Sequence, residues 1–334
     1  MSKKIVNNVD DVVSEWIEGF VAAHSRYYEK AEDVNCIYYR HHRENKVALV
    51  IGGGSGHDPM FAGFVGKGLA DAAACGNVFT SPDPGTIMET ARAVHSEQGV
   101  LFLYGNYAGD NMNFDMAEEF LQDEDIKTAH VRVRDDCASA PAERSYDRRG
   151  IAGNVFVTKI AGAACDWGMP LEEVVRVTEK ACENLRTIGV ATSPGQIPAA
   201  EKPTFRLGDD ELEYGLGIHG EPGIRRAKMC TADELTQVMY EHLTGDMPIH
   251  AGDEVVVLIN GLGSTTIMEM GIVYRKVKQL LEADGAAIYD ADINSYCTCM
   301  EMGGCSISVM KLDDELKALY NMPCHSPYYT REEI

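Results

Sequence analysis

Short apolar runs alternate with stretches in which apolar residues recur every three or four positions along the 334-residue chain. The short runs are typical of buried β-strands, and the longer stretches are typical of amphipathic helices. Strands are predicted at 47–51, 100–104, 131–133, 255–259 and 307–310. The alternation predicts an α/β protein with mixed sheets and an active site at strand-end loops.

Helices are predicted between these strands from capping residues and apolar periodicity. An Asp-Pro start indicates a helix over 83–94, and a Thr-Ala-Asp-Glu capping box indicates another over 231–242. Two further helices are predicted at about 265–283 and from 171 to about 189. In the last of these, Thr178 is the one polar residue on the apolar face.

A segment with three prolines and no helical period begins just after residue 190. Such a shift in composition is typical of a domain boundary, so we predict two α/β domains, 1–190 and 191–334. The residues of chemical interest discussed below are divided between them, with His57 and Asp110 in the first and His219 in the second.

The composition gives 52 Asp and Glu against 30 Lys and Arg, a formal charge of -22. Such a charge repels phosphate backbones and anionic lipid, so neither a nucleic-acid nor a membrane partner is predicted. Ten cysteines without a secretion signal predict reduced thiols and a cytoplasmic location. The spacing of Cys297, Cys299, Cys305 and Cys324 matches no paired zinc-binding pattern, so no metal site is predicted.

Three glycine-rich loops carry the candidate chemistry. The first, GGGSGHDP at 52–59, follows a buried strand and gives a ligand close access to backbone N–H groups. It lacks the Lys-Ser/Thr pair of a Walker A loop, and His57 replaces the last glycine of a dinucleotide fingerprint. A tight strand-to-helix turn is the alternative interpretation.

The second loop, GNYAGD at 105–110, ends at Asp110, which either reaches a ligand hydroxyl or caps a helix over 111–121. The third, YGLGIHGEPG at 214–223, frames His219 with glycines. An imidazole presented in this way can be a base, an acid, a nucleophile, a metal ligand or only a turn residue. Together the loops indicate a polar site without metal for a small polyhydroxylated ligand.

These loops, with FTSP at 79–82, NGLG at 260–263 and YCT at 296–298, resemble the dihydroxyacetone kinase family. The resemblance is to its substrate-binding K subunit and covers nearly the whole chain. It implies that a histidine adds to the carbonyl group of a short-chain ketose and keeps it as a hemiaminal. His219 matches that histidine.

The resemblance also implies roles for other loop residues. His57 matches a histidine that transfers a proton during adduct formation, and Asp110 matches the base that accepts the proton of the terminal hydroxyl. The remaining substrate-binding positions are Gly54, Ser55, Gly56 and Gly105.

The same resemblance implies that this chain carries no cofactor. The nucleotide, ADP or ATP, and two Mg²⁺ ions are expected on a separate helical L subunit. That subunit is recharged by a phosphotransferase-system protein using phosphoenolpyruvate or by exchange of ATP. The K subunit is expected to be a homodimer.

Two residues differ from the family pattern and affect the expected choice of substrate. Gly105 and Ala108 stand where close relatives carry lysine and threonine. Loss of the lysine predicts a larger pocket. One alternative to a dihydroxyacetone kinase is therefore a kinase for a longer ketose such as erythrulose.

A ketose-binding coactivator of transcription is a second alternative. The presence of His57, Asp110 and His219 together favours an enzyme, since a sensor needs the adduct but not the base.

Overall fold

The computed structural model describes residues 4–332 and contains two six-stranded sheets with packed helices. The helices are α1 (Val12–Ala23), α2 (Pro84–Val94), α3 (Ala108–Asp123), α4 (Asn154–Trp167), α5 (Leu171–Glu183), α6 (Ala232–Asp246), α7 (Ile267–Ala283) and α8 (Asp314–Asn321). The strands are β1 (Tyr28–Lys30), β2 (Cys36–Tyr39), β3 (Ala48–Ser55), β4 (Ala72–Val78), β5 (Val100–Gly105), β6 (Thr128–Val133), β7 (Leu185–Ser193), β8 (Glu211–Tyr214), β9 (Arg225–Lys228), β10 (Glu254–Gly261), β11 (Ala287–Asn294), β12 (Gly303–Leu312), β13 (Cys324–His325) and β14 (Thr330–Arg331).

The chain forms two compact units, each built from segments that are not contiguous in sequence. Within the described residues, the N-terminal unit comprises 4–133, 155–181 and 315–332, and the C-terminal unit comprises 134–154 and 182–314. The chain therefore passes between the units four times, whereas the sequence analysis places one boundary at 190–191. Composition marks a loop, but membership of a unit depends on contacts between segments that are distant in sequence.

The N-terminal unit contains a mixed sheet with strand order β1-β2-β4-β3-β5-β6. Strands β4, β3, β5 and β6 are parallel, and β1 and β2 add antiparallel pairs at one side. Helices α2 and α3 pack on this sheet, with the Phe114 ring stacked on Tyr104 at 4.1 Å. Because parallel strands share a direction, the loops that leave their carboxyl ends lie along one edge.

The C-terminal unit contains a second mixed sheet, with strand order β11-β10-β12-β7-β8-β9. Only β10 and β11 pair in parallel, and the other neighbours are antiparallel. Helices α6 and α7 begin at capping boxes formed by Thr231 with Glu234 and by Thr266 with Glu269. The prediction of an α/β fold with mixed sheets is confirmed.

One predicted helix is too long. The helix from 171 to about 189 ends at Glu183, and Leu185 already belongs to β7. The segment after Asn184 contains Thr187, Ile188 and Val190, whose branched side chains favour a strand, and it pairs with β12. The periodicity remained compatible with a helix, but pairing between distant segments determined the structure. Thr178 is accommodated in α5 because its hydroxyl donates to the Val174 carbonyl at 2.6 Å.

Candidate active site

Three loops of the N-terminal unit leave the carboxyl ends of the adjacent parallel strands β4, β3 and β5. They span residues 79–83, 56–59 and 106–107, and the last leads directly into α3. Pairing of Gly52 with Ala74 and with Tyr104 fixes the relative positions of the three strand ends. The first two predicted loops therefore lie at the same edge of one sheet, where ligands bind in open α/β folds.

His57 is buried, with 2% of its surface exposed, and its ring stacks on Phe79. The ring centroids are 4.7 Å apart and the planes are inclined by 13°. Phe79 has a φ of +55°, which is rare for a residue with a side chain. A Cβ atom at Gly54 would lie 2.7 Å from the Thr80 nitrogen, so glycine is needed there for the two loops to approach each other.

The next two predicted ligand-binding residues also have structural contacts, one with the neighbouring strand β4 and one within the loop. Ser55 donates its hydroxyl hydrogen bond to the Gly76 carbonyl at 2.7 Å, and the Gly56 N–H donates to Asp58 at 3.3 Å. Burial raises the pKa of Asp58 to about 6, although the nearby N–H groups oppose the shift. These contacts fix the backbone on both sides of His57.

Asp110 is buried in the first turn of α3 and is not the residue that caps this helix. The N-cap position is Tyr107, and no side chain makes a capping bond there. The alternative prediction of a capping role is therefore wrong, because the helix begins three residues before 111. A helix N-terminus favours a nearby negative charge, and it places this carboxylate at the sheet edge described above.

Hydrogen bonds from two asparagines fix the start of α3. Asn111 donates to the Asn106 side-chain oxygen at 2.8 Å, and Asn113 donates to the Pro82 carbonyl at 2.9 Å. Gly105 is the last residue of β5 and pairs with Val133 of β6. The loop that contains both departures from the family pattern is thus anchored on either side.

His219 lies in the C-terminal unit, in the loop that follows β8. The loop folds back on itself, because Gly217 donates its N–H to the Glu221 carbonyl and Gly220 donates to the Gly217 carbonyl, both at 3.0 Å. Gly220 has a φ of +87°, which glycine adopts without strain. The side chain of His219 is 25% exposed, so its imidazole is held by the loop but accessible.

The carboxylate of Glu221 orients the His219 ring. One carboxylate oxygen accepts a hydrogen bond from the His219 backbone N–H at 2.9 Å. The other oxygen lies 3.1 Å from Nδ1 of the ring. Arg149 lies 3.9 Å from Glu221 and also binds Asp136 and the Gly215 carbonyl. A proton held at Nδ1 by the carboxylate leaves the lone pair on Nε2, on the far side of the ring.

The pKa of Glu221 is lowered to about 2, although burial alone would raise it. The hydrogen bond and charge of His219 and the charge of Arg149 outweigh the burial. Because the folded-state pKa lies below the ordinary value, ionised Glu221 stabilises the fold above pH 4.5 or so, and this contribution decreases as the pH falls towards 2. At neutral pH the carboxylate is ionised.

If His219 forms the ketose adduct that the family resemblance implies, replacing Glu221 by glutamine should slow its formation by about 10²-fold, because the amide no longer fixes the Nδ1 proton or balances a cationic ring. Stopped-flow binding of a ketose measures this rate. Glu211→Gln is the matched control, since Glu211 also accepts a backbone N–H, from Gly208 at 2.9 Å, but does not belong to this loop. Equal rates for the wild-type and Glu221→Gln proteins would contradict the orienting role.

Sequence reasoning missed three residues of these sites. Glu221 and Phe79 lie within the motifs that carry the resemblance, but no role was assigned to them. A carboxylate two residues after a histidine in a glycine-rich turn is a usable signal. Arg149 gives no such signal, because it lies 70 positions before His219 in the sequence.

Between residues 4 and 332, no cluster of three or more His, Cys, Asp and Glu side chains is placed to hold a metal ion. The ten cysteines are free, and burial raises the pKa of the Cys305 thiol to about 12, which keeps it protonated. No helix in the same part of the chain is long and apolar enough to cross a membrane.

The Dak1 domain family matches residues 18–328. The chain belongs to the Dak1 domain family. This result confirms the family resemblance identified in the sequence.

Two relatives illustrate the range of this family. The chain is 43% identical over 313 residues to the PTS-dependent dihydroxyacetone kinase 1, dihydroxyacetone-binding subunit DhaK, of Listeria innocua, covering 94% of this chain and 95% of the relative. It is 41% identical to the D-erythrulose kinase of Mycolicibacterium smegmatis over 98% of its own length, but it spans only 56% of that kinase.

Two solved structures are also similar. The dihydroxyacetone kinase of C. freundii in complex with AMP-PNP and Mg²⁺ matches with a TM-score of 0.90 and 30% identity, over 100% of this chain and 63% of the kinase. The dihydroxyacetone kinase operon co-activator Dha-DhaQ matches with a TM-score of 0.87 and 28% identity, over 93% of this chain and 96% of the co-activator.

Proposed function

We propose that this chain is the ketose-binding subunit of a dihydroxyacetone kinase and that His219 binds the ketose covalently. The pairing of His219 Nδ1 with the ionised carboxylate of Glu221 carries the proposal, because it prepares Nε2 as a nucleophile. The names of relatives that match nearly the whole chain support dihydroxyacetone as the class of substrate.

The covalent step is an addition and needs no oxidant or leaving group. The Nε2 lone pair forms a bond to the carbonyl carbon, and the π electrons move to the carbonyl oxygen, which takes up a proton from His57. The product is a hemiaminal whose imidazole ring carries positive charge beside Glu221. Glycerol has no carbonyl group, so it is excluded by chemistry rather than by size.

The phosphoryl step uses Asp110 as the base. Its carboxylate accepts the proton of the terminal hydroxyl while the oxygen attacks the phosphorus atom of the donor. The position of Asp110 in the first turn of α3, at the sheet edge that also carries His57, supports this role.

The phosphoryl group is supplied by a separate L subunit that binds the nucleotide and Mg²⁺. The words "PTS-dependent" and "dihydroxyacetone-binding subunit" in the names of the relatives support division of the kinase among several proteins. We also propose a homodimeric K subunit and a cytoplasmic location, as the family resemblance implies. The chain itself needs no metal ion in this scheme.

The identity of the ketose depends on the space beside Gly105, where a lysine is expected in the family. If the wider pocket accepts a four-carbon substrate, the kcat/KM for one erythrulose enantiomer should exceed that for dihydroxyacetone by about tenfold or more. Phosphorylation of dihydroxyacetone and both erythrulose enantiomers, with the cognate L subunit and with glycerol as a blank, measures this ratio. A clear preference for the three-carbon ketose would eliminate the larger-pocket interpretation.

A ketose-binding co-activator is the second candidate function, and the similarity to Dha-DhaQ favours it. Both functions require the adduct, but only the kinase requires a base. Adduct formation without phosphorylation of any ketose in the same assay would favour the co-activator and refute the kinase.

A further inference from the structure

The outer face of α3 carries exposed apolar side chains that the fold does not require. Met112, Met116 and Phe120 are 63%, 43% and 47% exposed. Their spacing of four residues places them in one row, about 12 Å long, along the helix. We call these three residues the α3 stripe.

A different face of the same helix supplies its packing. Phe114, Ala117 and Leu121 are fully buried in the core of the N-terminal unit. A surface helix needs one apolar face to hold it on a sheet. Helix α3 has a second apolar face, the α3 stripe, which is exposed. Contiguous exposed apolar residues on a soluble protein mark interaction sites.

The α3 stripe begins at the end of α3 that carries the proposed base, although buried Asp110 and exposed Met112 lie on opposite sides of the helix. Asp110 is in the first turn of α3, Met112 is two residues later, and Ala108, four residues before Met112, is exposed in the same row. A protein that delivers a phosphoryl group to a hydroxyl at Asp110 must bring its own surface to the start of α3. A partner surface that extends past exposed Ala108 meets the row of side chains that Met112, Met116 and Phe120 continue.

The lengths of the relatives also favour a companion protein for this chain. The chain corresponds to 95% of the Listeria innocua binding subunit but to only 56% of the D-erythrulose kinase and 63% of the C. freundii kinase. A ketose-binding module of this kind therefore occurs both separately and joined to a further segment.

We propose that the α3 stripe is the docking surface for the nucleotide-binding L subunit, an inference that rests on the proposed function. Methionine side chains are flexible and polarizable, which suits an interface that forms and separates in every catalytic cycle. Exposed Glu119 and Asp123 lie next to the α3 stripe. The partner surface should therefore be apolar with a rim of lysine or arginine.

The test replaces α3 stripe residues by glutamine, which preserves helix propensity and removes apolar contact. In Met112→Gln and Phe120→Gln, the concentration of ATP-loaded L subunit that gives half-maximal phosphorylation of dihydroxyacetone should rise about tenfold or more. The maximal rate and the hemiaminal, followed by ¹³C NMR of carbonyl-labelled dihydroxyacetone, should be unchanged. Trp167→Gln is the matched control, since Trp167 is 58% exposed on α4.

Each other result overturns the proposal. Unchanged half-maximal concentrations would exclude docking on the α3 stripe, and an equal shift in Trp167→Gln would show that the effect is not local. Loss of a wild-type dimer on sedimentation of the variants would assign the α3 stripe to contacts between copies of this chain. Absence of transfer with the wild-type protein would refute the proposed kinase function itself and, with it, the docking surface.

Discussion

Replacing His219 by alanine should abolish the covalent adduct and lower ketose phosphorylation by about 10⁴-fold or more. In the proposed mechanism the imidazole supplies the electron pair of the new bond, and no neighbouring group in its loop can replace it. With carbonyl-labelled dihydroxyacetone, the ¹³C resonance of the tetrahedral hemiaminal carbon should be present for the wild-type protein and missing for the variant. The phosphorylation assay with the L subunit should lose its signal in parallel.

His250→Ala provides the control for the loss of an imidazole from the C-terminal unit. His250 is exposed and lies outside the His219 loop, so this variant should keep both the adduct and the activity. If the tetrahedral resonance persisted in His219→Ala, another nucleophile would form the adduct and the assignment of His219 would be wrong.

Asp110→Asn should separate binding from turnover. The amide has nearly the same shape as the carboxylate but cannot accept the hydroxyl proton, so kcat should fall by about 10²- to 10⁴-fold. The hemiaminal should still form, because the proposed nucleophile is His219 and the proposed proton donor to the carbonyl oxygen is His57. Single-turnover transfer from ATP-loaded L subunit measures the chemical step directly.

Asp115→Asn is the matched control, because this carboxylate lies on α3 but is exposed and paired with Arg132. It should retain activity close to that of the wild-type protein. A near-normal rate in Asp110→Asn would remove Asp110 as the base. A loss of adduct in that variant would instead indicate a role in binding.

Local features of the sequence were sufficient to predict much of the fold. Strands β3, β5 and β10 contain continuous apolar runs, and β12 alternates Ser306 and Ser308 with apolar residues; both patterns favour a strand. Helices α2 and α6 were also predicted, because the Asp-Pro start and the capping box that begin them lie within four residues.

The differences between the sequence-based predictions and the structure have a common physical origin. The end of α5 at Glu183 and the partition of the chain into units depend on segments that meet only after folding, and the sequence contains no local trace of them. The same applies to Arg149, which contacts Glu221 across 72 positions. The glycine-rich loops could be found because their chemistry is local, whereas the electrostatic environment of His219 is not.

The repeated passage of the chain between the two units restricts how this protein can change over time. The crossings fall close to the ends of β6 and α5 and at the first residues of α4 and α8. Neither unit can be excised as one continuous stretch of sequence, so recombination at a single point cannot exchange one while keeping the other. A change of specificity in this architecture is therefore expected from substitutions within the loops and not from exchange of a whole unit at a single point.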